Sequence, residues 1–353
     1  MHLALIVSTY NNADSINRCL KSVIAFKKKL TKFDLKLILV DDGSTDNTPE
    51  ILTKFCYQLP KAELKKYEKN QGVSRSRNYG ISKSLDSDYI LFLDGDDEID
   101  LELSEYLNKN TLMNDLYAFD FSIIEKGRQI KYSHLNTRKI FNDKSLSEYF
   151  FDYLTVPNKN SMFVTCWAKL FKTKLLRDFK KLRFKKDMKV YEDAQFLFSF
   201  IRKSRKIEYI NILSYKYNYN ESDKSLSNQA SFGSNWNVIQ LFSFVSALRQ
   251  LRLYLIEKKQ NINLVNLKVL HCIGVYTCIS SVRAWVRVKS FSDFYKMFFE
   301  LKKIYKKPII EKGLKTYNVD IAKGNKLISF FLKHKYFFIA SILNFIQSYK
   351  RYK

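Results

Sequence analysis

A dense run of acidic side chains follows a short apolar segment near residue 90. The segment "YILFLD" covers residues 89–94, and the run at its end contains Asp94, Asp96, Asp97, Glu98 and Asp100. Carboxylates packed this closely repel one another unless a cation lies among them. Hard divalent cations such as Mn²⁺ or Mg²⁺ take oxygen ligands, and they usually keep waters and a substrate diphosphate as well. The run therefore predicts a metal site to which Asp94 and Asp96 contribute, with the backbone bending at Gly95.

The acidic run is also compatible with a plain surface turn. An Asp-x-Asp sequence can form a solvated loop whose aspartate caps the next helix. An EF-hand loop is excluded, because Ile99 stands where that loop needs glycine. The nine glycines never form Gly-x-Gly, and no Gly-Lys-Ser or Gly-Lys-Thr occurs. Dinucleotide-binding and P-loop sites are therefore not indicated.

The first hundred residues alternate between strand and helix patterns. Strands are predicted for "LALIVST", "LKLILVDD", "AELKKYEK" and "YILFLD", and helices for 14–30, from about 48, and for 73–84. This alternation is typical of an α/β fold with a parallel, doubly wound sheet. Ligands bind such sheets beyond the carboxyl ends of the strands. The four strand ends are polar or acidic, and they read Ser8-Thr9-Tyr10, Asp41-Asp42-Gly43-Ser44, Asn70-Gln71-Gly72 and Asp94-Gly95-Asp96.

The remainder of the chain divides into a mixed segment and a helical one. Residues 116–134 predict two more strands, "YEDAQFLFSFIRK" a helix and "IEYINILSYKYNY" a closing strand. From about Asn235 the apolar spacing is helical throughout. We therefore predict one domain over 1–225, with halves 1–115 and 116–225, and an all-helical domain over 226–353.

Charge is distributed unevenly along the chain. The net charge is +26, and residues 226–353 hold 22 Lys or Arg against five Asp or Glu. Such a basic segment indicates an anionic partner, either nucleic acid or a membrane surface. No signal peptide is expected at the N-terminus, and no stretch of about 18 apolar residues is expected to span a bilayer. The five cysteines form no Cys-x-x-Cys pair, and His271-Cys272 is expected to be core.

Several segments together resemble family-2 glycosyltransferases. The segments "LIVSTYNNADSINRCLKSV", "ILVDDGSTDNT", "NQGVSRSRNYGI" and "YILFLDGDDEI" resemble, in order and spacing, the nucleotide-sugar half of that family. "CWAKLF" followed by "YEDAQF" resembles the acceptor half, where an ED pair supplies the base. The resemblance covers about residues 3–225. It implies the GT-A fold, a Rossmann-like mixed sheet flanked by helices, with the all-helical C-terminal domain outside it.

The resemblance also implies roles for individual residues of the nucleotide half. Thr9 and Tyr10 would contact the nucleoside, and Asp41 would accept a hydrogen bond from the uracil imide. Asn70 and Arg77 would flank the base or the diphosphate. These assignments predict a UDP-sugar as the donor.

The metal, the base and a later segment complete the implied site. Asp94 would approach the ribose or the metal, Asp96 would ligate Mn²⁺ or Mg²⁺, and Asp42 is expected to cap its own turn. Asp193 would be the catalytic base, with Glu192 as the alternative; both could instead be acids at a helix N-terminus. Weaker contacts near the diphosphate are implied for Lys224, Ser225 and Ser227.

The chemistry expected of this set is sugar transfer with inversion. A metal stabilises the departing nucleoside diphosphate, while a carboxylate on the opposite face takes the proton of an acceptor hydroxyl. The resemblance implies a glycan acceptor, which is lipid-linked in many similar enzymes, and a place in bacterial capsule, teichoic acid or lipopolysaccharide assembly. A cytoplasmic protein held peripherally on the inner face of the plasma membrane is expected, with self-association through the C-terminal helices as an alternative. A sugar-nucleotide nucleotidyltransferase and a basic nucleic-acid-binding protein are the competing functions; nucleic acid is not the expected partner.

Overall fold

The computed structural model describes residues 1–59, 61–157, 161–219, 236–285, 288, 290–318, 320 and 325–352. The chain forms two compact units, Met1–Asn142 with Met162–Asn220, and Asp143–Ser161 with Glu221–Lys353. The second unit thus includes helix α5 (Asp143–Thr155), which the sequence places in the acceptor half. Helices and strands are numbered along the chain.

The first unit is built on one mixed sheet of ten strands. The strands are β1 (His2–Thr9), β2 (Asp34–Asp41), β3 (Glu63–Lys66), β4 (Tyr89–Asp94), β5 (Glu98–Ile99), β6 (Leu116–Glu125), β7 (Arg128–Tyr132), β8 (Lys139–Phe141), β9 (Lys169–Lys172) and β10 (Ile207–Tyr219). Their order is β3-β2-β1-β4-β9-β6-β10-β5, with β7 paired to β6 and β8 to β10. The strands β1 to β4 are mutually parallel, as the alternating pattern predicts.

Helices cover the sheet of the first unit. They are α1 (Ile16–Lys29), α2 (Thr48–Gln58), α3 (Val73–Lys83), α4 (Glu102–Lys109), α6 (Thr173–Asp178) and α7 (Glu192–Ile201). The apolar residues of α1 at Ile16, Leu20 and Val23 are buried, because this spacing places them on one helix face. The strands β1 and β4 are buried along almost their whole length, as strands covered on both faces must be. The predicted mixed sheet with flanking helices is confirmed.

The second unit is helical where it is described. Besides α5 it contains α8 (Trp236–Glu257), α9 (Ile262–Ala284), α10 (Phe291–Tyr305), α11 (Pro308–Thr316), α12 (Lys326–Lys333) and α13 (Phe337–Tyr352). Helix α5 belongs here because Lys268 Nζ donates to Thr155 Oγ1 at 2.9 Å and His271 Nε2 lies 3.1 Å from the Thr155 carbonyl. His271 and Cys272 are buried, as expected.

One helix corrects an expectation about membrane spans. By length and composition Ile262–Val282 could cross a bilayer, although the sequence analysis expected no such segment. Counting uninterrupted apolar residues missed this segment, because polar side chains are scattered through it. Within the structure 56% of it is buried. Core helices of globular proteins show the same property, so this helix is weak support for a membrane span.

Candidate functional site

The carboxyl ends of β1 and β2 form one end of the candidate site. Thr9 is buried, whereas the side chain of Tyr10 is 37% exposed. The Asp41 carboxylate is buried and accepts a hydrogen bond from Ser44 Oγ at 2.5 Å. Burial raises the pKa of Asp41 even though Ser44 donates to it. A buried acceptor beside an exposed aromatic ring suits recognition of a flat polar base.

Two glycines let the strand ends approach one another. Gly43 has a φ of +78°, and a Cβ there would lie 2.6 Å from the backbone nitrogen of Asn70. Gly95 lies against β1, where a Cβ would meet Thr9 Oγ1 at 2.5 Å. A larger side chain at either position would push these loops apart. The glycine of the Asp94-Gly95-Asp96 turn is therefore required by close packing against Thr9.

Asp42 acts on a neighbouring loop. Its two carboxylate oxygens accept hydrogen bonds from the backbone nitrogens of Gln71 and Gly72, at 2.9 and 2.8 Å. The sequence analysis expected Asp42 to cap its own turn, and the structure corrects this. By fixing the start of α3, Asp42 positions the helix that carries Arg77.

Arg77 connects three parts of the site. Its guanidinium donates to Asp94 at 2.8 Å, to Asp193 at 2.5 Å and to Glu192 at 3.2 Å. The arginine side chain is only 5% exposed. The nucleotide half and the ED pair of the acceptor half, which lie more than a hundred residues apart in the sequence, are thereby joined at one buried cation.

The second oxygen of Asp193 accepts a hydrogen bond from the backbone near Cys166. The Cys166 N–H donates to Asp193 Oδ2 at 3.1 Å. On either side of Cys166, the Lys169 ammonium donates to Thr165 Oγ1 at 3.3 Å and to the Trp167 carbonyl at 3.1 Å. Lys169 is buried, and burial lowers its pKa to about 7. The orientation of the Asp193 carboxylate is therefore fixed from two sides.

Negative charge exceeds positive charge in this region. The carboxylates of Asp94, Glu192 and Asp193 contact the buried Arg77 guanidinium, and Asp96 and Asp97 follow Asp94 in the same acidic turn. Burial, with the like charge of Asp94, raises the pKa of Asp96 to about 6. Burial and the adjacent Asp193 raise the pKa of Glu192 to about 8 against the opposing effect of Arg77. Raised carboxyl pKa values indicate that the negative charges are not fully neutralised by the surrounding protein. Groups with pKa shifts of this kind cluster at functional sites.

The acidic turn fits a divalent cation in the chemistry of its donors. Asp94 is 27% exposed, and within the described residues Asp96 has no ion pair. Asp97, by contrast, has a structural role, since its carboxylate oxygens accept hydrogen bonds from Tyr215 Oη at 2.6 Å and from the Asn218 backbone at 2.7 Å. No group of three or more His, Cys, Asp or Glu side chains is arranged for a metal in the part of the chain that is described. Two carboxylates, with diphosphate and water completing the shell, match the way Mg²⁺ is usually bound.

The predicted site residues thus fall into three groups. Arg77 is in direct contact with Asp94, Glu192 and Asp193, whereas Thr9 pairs with Asp41 between β1 and β2 and Asn70 lies against Gly43. Lys224, Ser225 and Ser227 lie outside the described residues. Sequence reasoning missed the supporting roles of Asp97, Cys166 and Lys169. The only signal for Lys169 was its place in "CWAKLF", where it begins β9.

Comparisons with known proteins agree with this architecture. The sequence profile of "Glycosyl transferase family 2" matches residues 4–179. The chain is 28% identical over 222 residues to the glycosyltransferase GlyA of Streptococcus pneumoniae, covering 61% of this chain and 30% of GlyA. It is 29% identical over 244 residues to the poly(ribitol-phosphate) β-N-acetylglucosaminyltransferase TarP of Staphylococcus aureus, covering 66% of this chain and 68% of TarP.

A solved structure extends the similarity to the whole fold. The crystal structure of S. aureus TarS 1-349 in complex with UDP-GlcNAc superposes with a TM-score of 0.64 at 17% identity, covering 100% of this chain and 93% of that one. Among curated relatives, the chain spans less than a third of GlyA. With the profile match, the ordered motifs and the GT-A architecture on one sheet, the chain belongs, through residues 4–179, to glycosyl transferase family 2.

Proposed function

We propose that the protein is a metal-dependent, inverting glycosyltransferase that moves a hexosyl or N-acetylhexosaminyl group from a UDP-sugar to a hydroxyl of a glycan acceptor. The contact of Arg77 with both Asp94 and Asp193 carries the proposal. It places the acidic turn, suited to a metal and diphosphate, next to a carboxylate suited to proton abstraction. Transfer between a donor and an acceptor needs both within one site.

The donor half of the mechanism depends on the strand ends. Asp41 accepts a hydrogen bond from the uracil imide N–H, Tyr10 covers the base, and Thr9 and Asn70 line the nucleoside. Asp94 and Asp96 would hold Mn²⁺ or Mg²⁺. When bound, such an ion stabilises the negative charge of the departing UDP. Arg77, fixed beside Asp94, adds a buried positive charge next to the diphosphate.

The acceptor half depends on Asp193. Its carboxylate takes the proton of the acceptor hydroxyl as that oxygen attacks the anomeric carbon. Attack from the face opposite to UDP in a single displacement inverts the anomeric centre. The hydrogen bond from Cys166 keeps Asp193 oriented for this step. Burial and Asp193 raise the pKa of Glu192, which favours its neutral carboxyl and makes it less suited to act as base.

A donor screen tests the proposal. The full-length protein is incubated with UDP-glucose, UDP-galactose, UDP-GlcNAc or UDP-GalNAc and with GDP-mannose, in Mn²⁺ or Mg²⁺, and nucleotide release is measured. We expect metal-dependent release of UDP from at least one UDP-sugar. Preference for the GDP-sugar would contradict the role of Asp41. Release of pyrophosphate from UTP and a sugar 1-phosphate would identify a nucleotidyltransferase instead.

The relatives suggest where the reaction belongs. TarP and TarS are named for the glycosylation of poly(ribitol-phosphate), a polymer of repeating units. On this basis the acceptor is a bacterial surface glycan, such as a capsule, teichoic acid or lipopolysaccharide precursor, and the enzyme acts from the cytoplasm.

Attachment to the membrane is a further part of the proposal. Six exposed side chains of α10 and α13, here called the apolar face, are Phe291, Tyr295, Phe299, Phe338, Ile342 and Ile346. Ring contacts join the four aromatic residues through Phe294 and Phe298. Ile342 and Ile346 follow Phe338 at intervals of four residues, so they lie on the same side of α13. An apolar face on a strongly basic segment suits an anionic lipid surface, where each basic residue contributes about 1 kcal/mol.

Vesicle flotation distinguishes lipid from protein as the partner of this face. We expect the full-length chain to float with anionic vesicles at low salt, to be released by high salt, and not to float with neutral vesicles. If no vesicle carries the protein while sedimentation shows a dimer or trimer, the face is a self-association surface.

A further inference from the structure

A cavity of about 400 Å³ opens in the first unit beside the acidic turn. Its lining includes Arg18, Glu98, Lys126, Gln129, Lys216 and Tyr219. These residues come from α1, β5, the β6–β7 turn, β7 and the end of β10. None of them has a role in the donor site described above.

The cavity wall is hydrogen-bonded to the acidic turn. Arg18 Nη2 donates to the Asp96 carbonyl at 2.9 Å, and Arg18 Nε lies 3.1 Å from Glu98. Asn218, which also lines the cavity, donates to Asp97 through its backbone at 2.7 Å and to Glu98 through its side chain at 3.3 Å. A group bound in the cavity would therefore rest against the residues that shape the turn of Asp94 and Asp96.

Sheet topology places the cavity on the side of β4 away from the nucleoside. In the strand order, β1 and β2 lie on one side of β4, and β6, β10 and β5 lie on the other. The strand β9 is antiparallel to both β4 and β6, so β4, β6 and β10 point the same way. Their carboxyl ends share the ligand-binding edge of the sheet. A UDP-sugar held by Asp41 leaves this part of the edge to the acceptor.

The chemistry of the lining indicates what the cavity accepts. Among the described residues, Arg18, Lys126 and Lys216 line it together with the Glu98 carboxylate, and Lys216 Nζ also lies 3.8 Å from Asp100, so these five side chains carry a net charge of +1. The ring of Tyr219 is 38% exposed and can stack on the apolar face of a sugar. The amides of Gln129 and Asn218 can bond to hydroxyl groups. This positive potential favours an anionic ligand over an apolar or neutral one.

We infer that this cavity is an acceptor subsite for an anionic unit of the glycan, a sugar or polyol that carries a phosphodiester or a carboxylate. The inference rests on the proposed transferase function and adds the charge of its acceptor. Lys126 and Lys216 supply the attraction, and Tyr219 supplies the stacking surface. Occupation of the subsite brings a hydroxyl of the same or the next unit toward the acidic turn.

Binding to the full-length protein tests the subsite without turnover. Three ligands of similar size are titrated by calorimetry into UDP-saturated protein in Mg²⁺: tri(glycerol phosphate), trigalacturonic acid and neutral maltotriose. The proteins are wild type, Lys126→Met/Lys216→Met, and a control, Lys54→Met/Lys61→Met, which removes two exposed charges of the same unit outside the cavity. UDP affinity is measured for all three.

The expected result is selective binding of an anionic ligand. At least one of the two should bind wild type and control about tenfold more tightly than the cavity variant does, the factor that two exposed ion pairs supply. High salt should weaken that binding, and UDP affinity should be equal in all proteins. Binding of tri(glycerol phosphate) would indicate a phosphodiester in the acceptor, and binding of trigalacturonic acid would indicate a carboxylate. The subsite is overturned if wild type binds maltotriose as tightly as the anionic ligands, or if the cavity variant binds the anionic ligands as tightly as wild type does. Either result counts against the subsite even if UDP-sugars are turned over. Selective anion binding without UDP-sugar turnover would retain an anion-binding site in the cavity but reject the transferase, and with it the role of the cavity as an acceptor subsite.

Discussion

The two units of the molecule differ in where their charged side chains lie, buried in the first and exposed in the second. In the first, Asp94, Glu192 and Asp193 are drawn onto the buried Arg77, and burial raises the pKa of Asp96 and Glu192. In the second, ion pairs such as Lys326–Asp320 are exposed at both ends, with side chains 76% and 68% accessible. There it is the apolar residues that are unusually exposed, on the apolar face of α10 and α13.

The buried charges of the first unit lower the stability of the folded protein, whereas the exposed charges of the second unit do not. Buried like charges are unfavourable in the folded protein, so their persistence points to a ligand that relieves them. Exposed ion pairs contribute little in either direction. We therefore expect variants of the first unit to change chemistry and variants of the second to change attachment.

The largest effect is expected from Asp96→Ala. Loss of this carboxylate removes a metal ligand, so transfer and Mn²⁺-dependent UDP binding should both disappear. The fold should persist, because the residue removed is a repelled, mostly buried acid. Calorimetric UDP titration and thermal denaturation measure the two properties. Full activity of the wild type in excess EDTA would remove the metal from the mechanism.

Asp193→Asn should lower transfer by about 10²–10⁴-fold, the usual range for a general base. The amide keeps the size of the side chain, and its oxygen can still accept from Cys166, while its NH2 group replaces the oxygen that accepts from Arg77. Arg77 keeps its contact with Asp94, so donor binding should remain. Single-turnover rates and UDP affinity separate these effects. A loss of UDP binding equal to the loss of rate would make Asp193 a structural partner of Arg77 only.

The fold and the donor edge could be read from the sequence because they are local. Apolar runs of four to eight residues predict strands, and polar residues at each strand end must meet once the strands are parallel. The strands β1 to β4 and β10 lie where their patterns predict them. Asp94 and Asp96 are predicted as site residues for this reason.

The contacts within the site could not be read in this way. Arg77 and Asp193 meet only because α3 and α7 converge, and no local pattern encodes that distance. The grouping of α5 with the second unit depends on hydrogen bonds from Lys268 and His271, more than a hundred residues away. Glycine is needed at position 95 because Thr9, which is remote in sequence, lies too close to leave room for a side chain.

A variant of the apolar face should leave catalysis unchanged. Phe291→Ser with Phe299→Ser removes two aromatic rings, 77% and 53% exposed. Vesicle binding should fall by at least about tenfold, given about 1.5–3 kcal/mol for inserting each ring. UDP release with a water-soluble acceptor should be unaffected. The matched control is Tyr57→Ser in the first unit, where an 81% exposed ring is lost without an expected effect on flotation.

The smallest effect at neutral pH is expected from Glu192→Gln. Burial and Asp193 raise the pKa of Glu192 from 4.5 to about 8, so the neutral form is favoured by folding. Ionising the group therefore costs stability as the pH rises from the unfolded pKa through the folded one. Glutamine mimics the neutral carboxyl, so transfer at pH 7 should change by less than about threefold. The thermal midpoint of the variant should match wild type at pH 5 and exceed it at pH 9. The matched control on the surface is Glu311→Gln, where Lys335 and Lys315 lower the pKa of the carboxyl. The difference in thermal midpoint between this variant and wild type should not change between pH 7 and 9. If Glu192→Gln is inactive while Asp193→Asn is active, Glu192 is the base, and the buried acid is ionised when substrate is bound.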